Sequence, residues 1–324
     1  MNKKLLTIAP AIVLGLTLNA HAAKVAGGFE VGAETSIDYS RGENNEGTLT
    51  SRGIQFNIGR SLSESVRADL ALDLAEALGR DFRLDGEDQS MDFDLDKLVD
   101  ELKVTAMLQD GKIKVSIGKM HIDMTANDQY GGPKSKDLLY DTKKLRQVVG
   151  VVVTANPAIL SKIIDEVSVF ASEAADGGYD MDISSGEFSV GIKVTKQLTE
   201  SLKLEAAHAE LRTESSDSDG KSVSSIGATW NSSIIAAYGT IIVTQDDLQD
   251  EKTTQYQIGV KRNQWSADFT DDDKNRRYQV AYDMDLDSKG NIKLKPYVSY
   301  TTSNNKGEED LGAEAGLELN ARFH

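Results

Sequence analysis

No cysteine occurs anywhere in the chain, so neither a disulfide framework nor a thiolate metal site can form. Nothing after Leu18 is an apolar run long enough for a spanning helix. Basic residues are outnumbered, 36 against 52 acidic, and such a polyanion makes a poor partner for nucleic acid. No G-x-S-x-G elbow and no glycine-rich phosphate cradle is present. Past residue 22 the histidines are His121, His208 and His324. Catalysis therefore has few tools, and we expect neither an enzyme nor a bound cofactor. His121 with Asp123 would be the start of any hydrolytic site, while His208, set among Ala206, Ala207 and Ala209, reads as structural or interfacial.

What the chain does have begins with a leader. Asn2-Lys3-Lys4 is basic, Leu5–Leu18 is a short broken apolar stretch, and Ala20-His21-Ala22 is an A-x-A cleavage pattern. The expectation is a secretory signal over 1–22 and a single domain over 23–324. Loss of Lys3 and Lys4 takes the formal charge from −16 to −18.

From Ala23 onward, one pattern recurs about sixteen times. Each unit is ~8–13 residues of apolar/polar alternation ended by a polar turn or loop. Val66, Ala68, Leu70, Leu72 and Leu74 alternate with Arg67, Asp69, Ala71 and Asp73, giving a strand one apolar and one charged face. Short connections such as Gln109-Asp110-Gly111-Lys112 take turns with longer polar ones such as Glu76–Lys97 and Thr213–Lys221. Arg41–Thr50 reads as a polar loop, and Ala155–Asp165 is an unusually long connection for its end of the fold, with room for a short helix. Around Ile234–Val243 both faces look apolar and the phase is open. An even number of such strands, with short and long connections alternating, predicts an all-β, antiparallel, up-and-down transmembrane barrel of about sixteen strands. Low mean hydropathy fits, because only alternate residues face lipid. Aromatics make up only 6% of the chain, so interfacial girdles should be thin.

Ser51-Arg52-Gly53-Ile54-Gln55-Phe56-Asn57 with Val66–Leu70 resembles the second and third strands of general bacterial porins of Gram-negative outer membranes. Asp110–Lys119 is similar to the porin hairpin that leads into the third loop, with Lys119 where that family has arginine. Lys293–Tyr300 resembles the Pro-Tyr penultimate strand, and Ala313–Phe323 the aromatic-ended last strand that the barrel assembly machinery reads. The resemblance implies a homotrimeric diffusion channel narrowed by a long third loop, His121–Arg146, that folds inward. Its setting would be the lipids and lipopolysaccharide of the outer membrane.

Strand parity sends Arg67, Lys103, Lys114, Lys193, Lys203, Lys261, Lys293 and Lys295 inward. Parity also turns Glu30, Glu34, Asp38, Asp69, Asp73, Glu101, Glu187, Glu205, Asp268, Asp283 and Asp285 inward. The third loop mixes Asp123, Asp128, Asp137 and Asp141 with Lys143, Lys144 and Arg146, and Lys119 precedes it. Acids opposite bases across a constriction would orient polar solutes. Because inward acids outnumber inward bases, a weak cation preference is expected. The alternative is a plugged barrel whose acidic loops serve adhesion or surface structure. Asp92-Phe93-Asp94-Leu95-Asp96 resembles the start of a calcium loop but has Lys97 and Lys103 at the positions that need glycine and glutamate, so no metal is assigned.

Overall fold

The computed structural model describes residues 29–41, 47–74, 98–123, 125–126, 144–156, 163–173, 188–211, 221–246, 251–272, 274–288, 291–304 and 312–323. Residues 1–22, where a leader is expected, the acidic segment with Asp92–Asp96 and most of the third connection lie outside the described residues. Seventeen strands make one sheet. They are β1 (Phe29–Arg41), β2 (Gly47–Ser61), β3 (Val66–Asp73), β4 (Val99–Leu108), β5 (Ile113–Asp123) and β6 (Lys144–Ala155). Next come β7 (Glu166–Glu173), β8 (Phe188–Gln197), β9 (Leu202–Leu211), β10 (Lys221–Asn231), β11 (Ala236–Asp246) and β12 (Glu251–Arg262). The last are β13 (Trp265–Asp271), β14 (Asn275–Tyr282), β15 (Met284–Asp285), β16 (Ile292–Ser303) and β17 (Gly312–Phe323).

Each strand is antiparallel to its neighbour in sequence, except that β14 and β15 both lie against β16. They are one stave interrupted at Asp283, whose amide still donates to Gln264 on the other side. Counting that pair once gives sixteen staves. β1 is bonded to β2 on one edge and to β17 on the other, from Ala33 opposite Phe323 to Arg41 opposite Ala315. The ladder therefore returns to its start, which leaves no edge strand and pairs every stave's backbone groups on both sides.

The two faces are distinguished by a chord. The amide of Ala126, three residues past the end of β5, donates to Ser225 Oγ on β10 at 2.8 Å. Strands five staves apart in a ring can be joined so only through the interior. The face carrying Ser225 is thus the inner one, and register carries that assignment around the ring. Outside stand Leu102, Ile117, Ile258 and Val298, each more than half exposed. The inner rows are mostly Ser, Thr, Gln and charged side chains. This is the inverse of a soluble protein, and it suits lipid outside and water within.

Most strand ends fall close to the alternation read from sequence, with local differences. The segment Arg41–Thr50 is mostly strand: β1 runs through Arg41, and β2 begins at Gly47. β-branched Thr48 and Thr50 and apolar Leu49 continue the period and pair with Ser40, Asp38 and Tyr39. A register slip between Ser36 and Ile37 leaves Arg52 without an opposite residue, so β2 carries a bulge there. The β4–β5 hairpin closes with Gln109, Asp110 and Gly111 all at positive φ, the geometry its Asp-Gly pair favours.

Candidate functional site: the inner wall

The charged inner rows cluster toward the short-turn end of β1–β5. Arg67 opens β3; its Nη1 donates to Glu30 at 2.8 Å and its Nε to Asp69 at 2.7 Å. Gly59, on the adjacent stave, makes that pose available, since a Cβ there would stand 2.0 Å from the guanidinium. Lys103 Nζ donates to Glu101 at 2.6 Å, and Lys103 also pairs across the ladder with Asp69. With Lys114, Asn57 and Thr105 these groups line a cavity of about 850 Å³. Similar couples continue around the ring: Lys203 with Glu205 at 3.1 Å, Lys261 with Asp283 at 2.7 Å, and Lys293 with Asp285 at 3.9 Å. Arg277 donates to Ser299 Oγ at 3.0 Å, and Tyr238 to Asp268 at 2.6 Å. In these couples a base stands beside an acid, so this part of the wall presents local fields rather than one pole.

Register places Arg67, Lys103 and Lys114 on inner rows. Lys119 differs: it stands opposite Leu102 and Val149, in the row whose other members face out. Asp123 pairs with Lys144 where β5 meets β6. Arg146 lies in β6 beside the register slip between Met120 and Ile122. Asp128, Asp137, Asp141 and Lys143 lie outside the described residues, as does Glu187. His121 Nε2 shares a 2.7 Å hydrogen bond with Asp100 Oδ1, and the other oxygen of Asp100 accepts from Gln55 at 2.6 Å. Among the described residues no group of three or more potential metal ligands gathers.

Sequence reasoning missed an apolar patch inside the barrel. Met120, Ile122, Val148, Phe170, Ala209, Leu211, Val223 and Ile242 pack as one buried cluster. The chain leaving β5 turns in beside it, with Thr125 and Ala126 0% and 1% exposed. Inner apolar residues are incompatible with a bare water-filled wall but suit a wall covered by protein. Their signal was in the sequence as runs with no alternation, Val148–Val153 and Ile241-Ile242-Val243. Ile242 faces in, opposite Ser225 and Gln255, while Ile241 faces out at 42% exposure.

No family model and no curated protein matches the sequence. Solved structures do match in shape. The Vibrio cholerae outer-membrane protein OmpT in its trimer form is 12% identical, with a TM-score of 0.56 over 92% of this chain and 99% of that one. An anion-selective porin from Comamonas acidovorans is 11% identical, TM-score 0.56, over 91% and 98%. The outer-membrane channel DcaP of Acinetobacter baumannii is 11% identical, TM-score 0.57, over 94% and 100%. At such identities the likeness is one of fold, and it agrees with a ladder that closes on itself, apolar outside and charged within. The chain has the fold of the outer-membrane porins.

Proposed function

We propose that this protein is a porin, a passive channel for ions and small hydrophilic solutes across the outer membrane of a Gram-negative bacterium. The observation that carries the reading is the inner wall of paired charges, which Ala126 touches from within through its hydrogen bond to Ser225. A closed barrel needs no chemistry to move solutes; it needs a polar lumen and a limit on width. The third connection supplies the limit, with Asp128, Asp137, Asp141 and Lys143 on it, and Asp123, Lys144 and Arg146 at its roots. Arg67, Lys103 and Lys114 line the wall below. Residues 1–22 serve as the export signal and are removed, leaving 23–324 as the barrel. The barrel assembly machinery inserts it among outer-membrane lipids and lipopolysaccharide. Three copies associate, as in the trimeric Vibrio OmpT, and the acid-rich wall favours cations weakly. Refolded protein added to a planar bilayer should give stable conductance steps.

A second reading, the occluded barrel, rests on one observation. Inner residues on β10–β14 are nearly sealed, with Thr229, Gln257 and Arg277 each 3% exposed or less. Silence in the bilayer from a correctly folded barrel would establish that reading and overturn the first.

A further inference from the structure

A polar array interrupts the apolar outer face where β9 meets β10. Ser225 faces in, so Ser224 faces out, and His208 of β9 stands opposite it in register. His208 Nδ1 lies 2.8 Å from Ser224 Oγ, and its Nε2 lies 2.9 Å from Glu210 Oε1. An ionised carboxylate only accepts, so Glu210 fixes the ring proton on Nε2. The Nδ1 lone pair is then left for the Ser224 hydroxyl. Hydroxyl, imidazole and carboxylate are joined in the order of a nucleophile, its base and the group that orients the base. His208 and Glu210 are about half exposed, so the array is open to whatever lies outside the barrel.

Its surroundings divide in two. Ile192 and Val190 of β8 stand opposite His208 and Glu210. Ala206 and Ile226 lie on the short-turn side, in an outer row that continues through Ile241 to Tyr256. On the long-loop side the outer row is polar, with Glu210, Ser222 and Gln245 in register. Outward tyrosines mark the membrane–water level of a barrel. The array sits one pleat beyond Tyr256, with an apolar floor for acyl chains and a polar rim for head groups. Lipid ester bonds lie between those two parts.

We infer that Ser224, His208 and Glu210 form a second site, which hydrolyses acyl esters of membrane lipids on the outer wall. The inference rests on the outer-membrane reading above. Ser224 Oγ attacks the ester carbonyl carbon as its proton passes to His208. The tetrahedral centre collapses, the ester C–O bond breaks, and His208 gives that proton to the departing alcohol. The acyl group stays on Ser224. Water then attacks the acyl carbon and gives a proton to His208. The bond to Ser224 breaks, and the serine takes that proton back. The net change is ester plus water to fatty acid plus alcohol. Glu210 is a positioning residue, since it touches the imidazole and not the ester. β10 is laddered on both sides, which commits its backbone amides. Oxyanion donors must therefore be side chains, with the Ser222 hydroxyl and Gln245 amide in the adjacent row. Without a backbone oxyanion hole, turnover should be slow.

The test uses protein refolded from inclusion bodies, so that no other lipase accompanies it. An alkyl fluorophosphonate should label Ser224, located by mass spectrometry. Micelles of phosphatidylethanolamine or of lipopolysaccharide should release fatty acid, and the one that does so identifies the source of the ester. Ser224→Ala should abolish label and release together. His208→Asn should slow release by about 100-fold or more, the least a general base contributes. Glu210→Gln should lower kcat and leave KM unchanged. All three variants should keep the conductance of the parent and a gel migration that shifts on heating. No label on Ser224 in barrels that shift on heating would overturn the inference, as would release that survives Ser224→Ala. Hydrolysis and conductance are independent readouts. A silent barrel that hydrolyses would overturn the channel alone, and a conducting barrel with Ser224 unlabelled would overturn this site alone.

Discussion

At the scale of single residues, the charged inner wall was largely legible, because parity in a strand is a strict period of two. Arg67, Lys103 and Lys261 were readable as inward from their neighbours alone. What could not be read was which acid each would meet, since Arg67 reaches Glu30 across two staves. Ser225 is the clearest omission: a serine among serines, it acquires a role only when Ala126 arrives from ninety-nine residues away. Ser225→Ala would leave that buried amide without its acceptor, a cost of about 1–3 kcal/mol. The variant should unfold at a lower temperature in detergent, read as the midpoint of the heat-dependent gel shift. Asp165, in the turn before β7, offers a pH test. Its carboxylate accepts the Gln197 amide at 2.6 Å and the Lys196 ammonium at 2.9 Å, and these hold its pKa below the usual aspartate value. A depressed carboxyl stabilises the fold above the ordinary aspartate pKa of about 3.9 and loses that contribution as pH falls through the folded value. Asp165→Asn should therefore melt earlier than the parent at pH 7. The gap should close as the medium is acidified below pH ~4; a gap unchanged by acid would refute the assignment.

At the scale of elements, alternation located the staves, but local chemistry moved some ends. Thr48 and Thr50 extended β2 into what looked like a polar loop, and Asp283 broke a stave in two. The final strand was legible from its unbroken alternation, and the structure adds what it closes. Pairs from Ala33 opposite Phe323 to Ile37 opposite Leu319 tie β17 to β1. Deleting Leu319–His324 would remove five of those nine pairs and open the ring to an unpaired edge. No heat-modifiable barrel should then reach the outer membrane; normal levels would show that closure does not depend on this end. The third connection was legible only by its length. Where it leaves β5, Thr125 and Ala126 are buried beside the apolar patch of Val223, Ile242 and their neighbours, contributed by strands far away in sequence. Shortening Ala126–Asp137 to a tight turn should raise single-channel conductance and admit larger sugars. Unchanged conductance would place the connection outside the pore.

At the scale of the whole molecule, the sign of selectivity follows from summed charge rather than from any one residue. Formal charge is −16 over the whole sequence and −18 over residues 23–324. The ladders also place Glu314 and Glu318 inward, facing Ser299 and Lys295, neither of which alternation had singled out. Arg277 on β14 donates to Glu314 at 3.5 Å. Fold does not decide the matter, since one structure of the same shape is an anion-selective porin. Negative walls in a confined channel concentrate cations, and the effect should fade as the Debye length falls from ~10 Å at 0.1 M to ~3 Å at 1 M salt. The pairing seen on the wall works in the same direction as salt. Acids held by Lys103, Lys203 and Lys261 project little net field, so the preference should be weak even in dilute solution. A reversal potential across a potassium chloride gradient measures it. A small cation-selective value that shrinks with ionic strength is expected. An anion-selective sign would refute the net-charge argument and move control of the pore to Lys143, at the end of the third connection, with Lys144 and Arg146 at the start of β6.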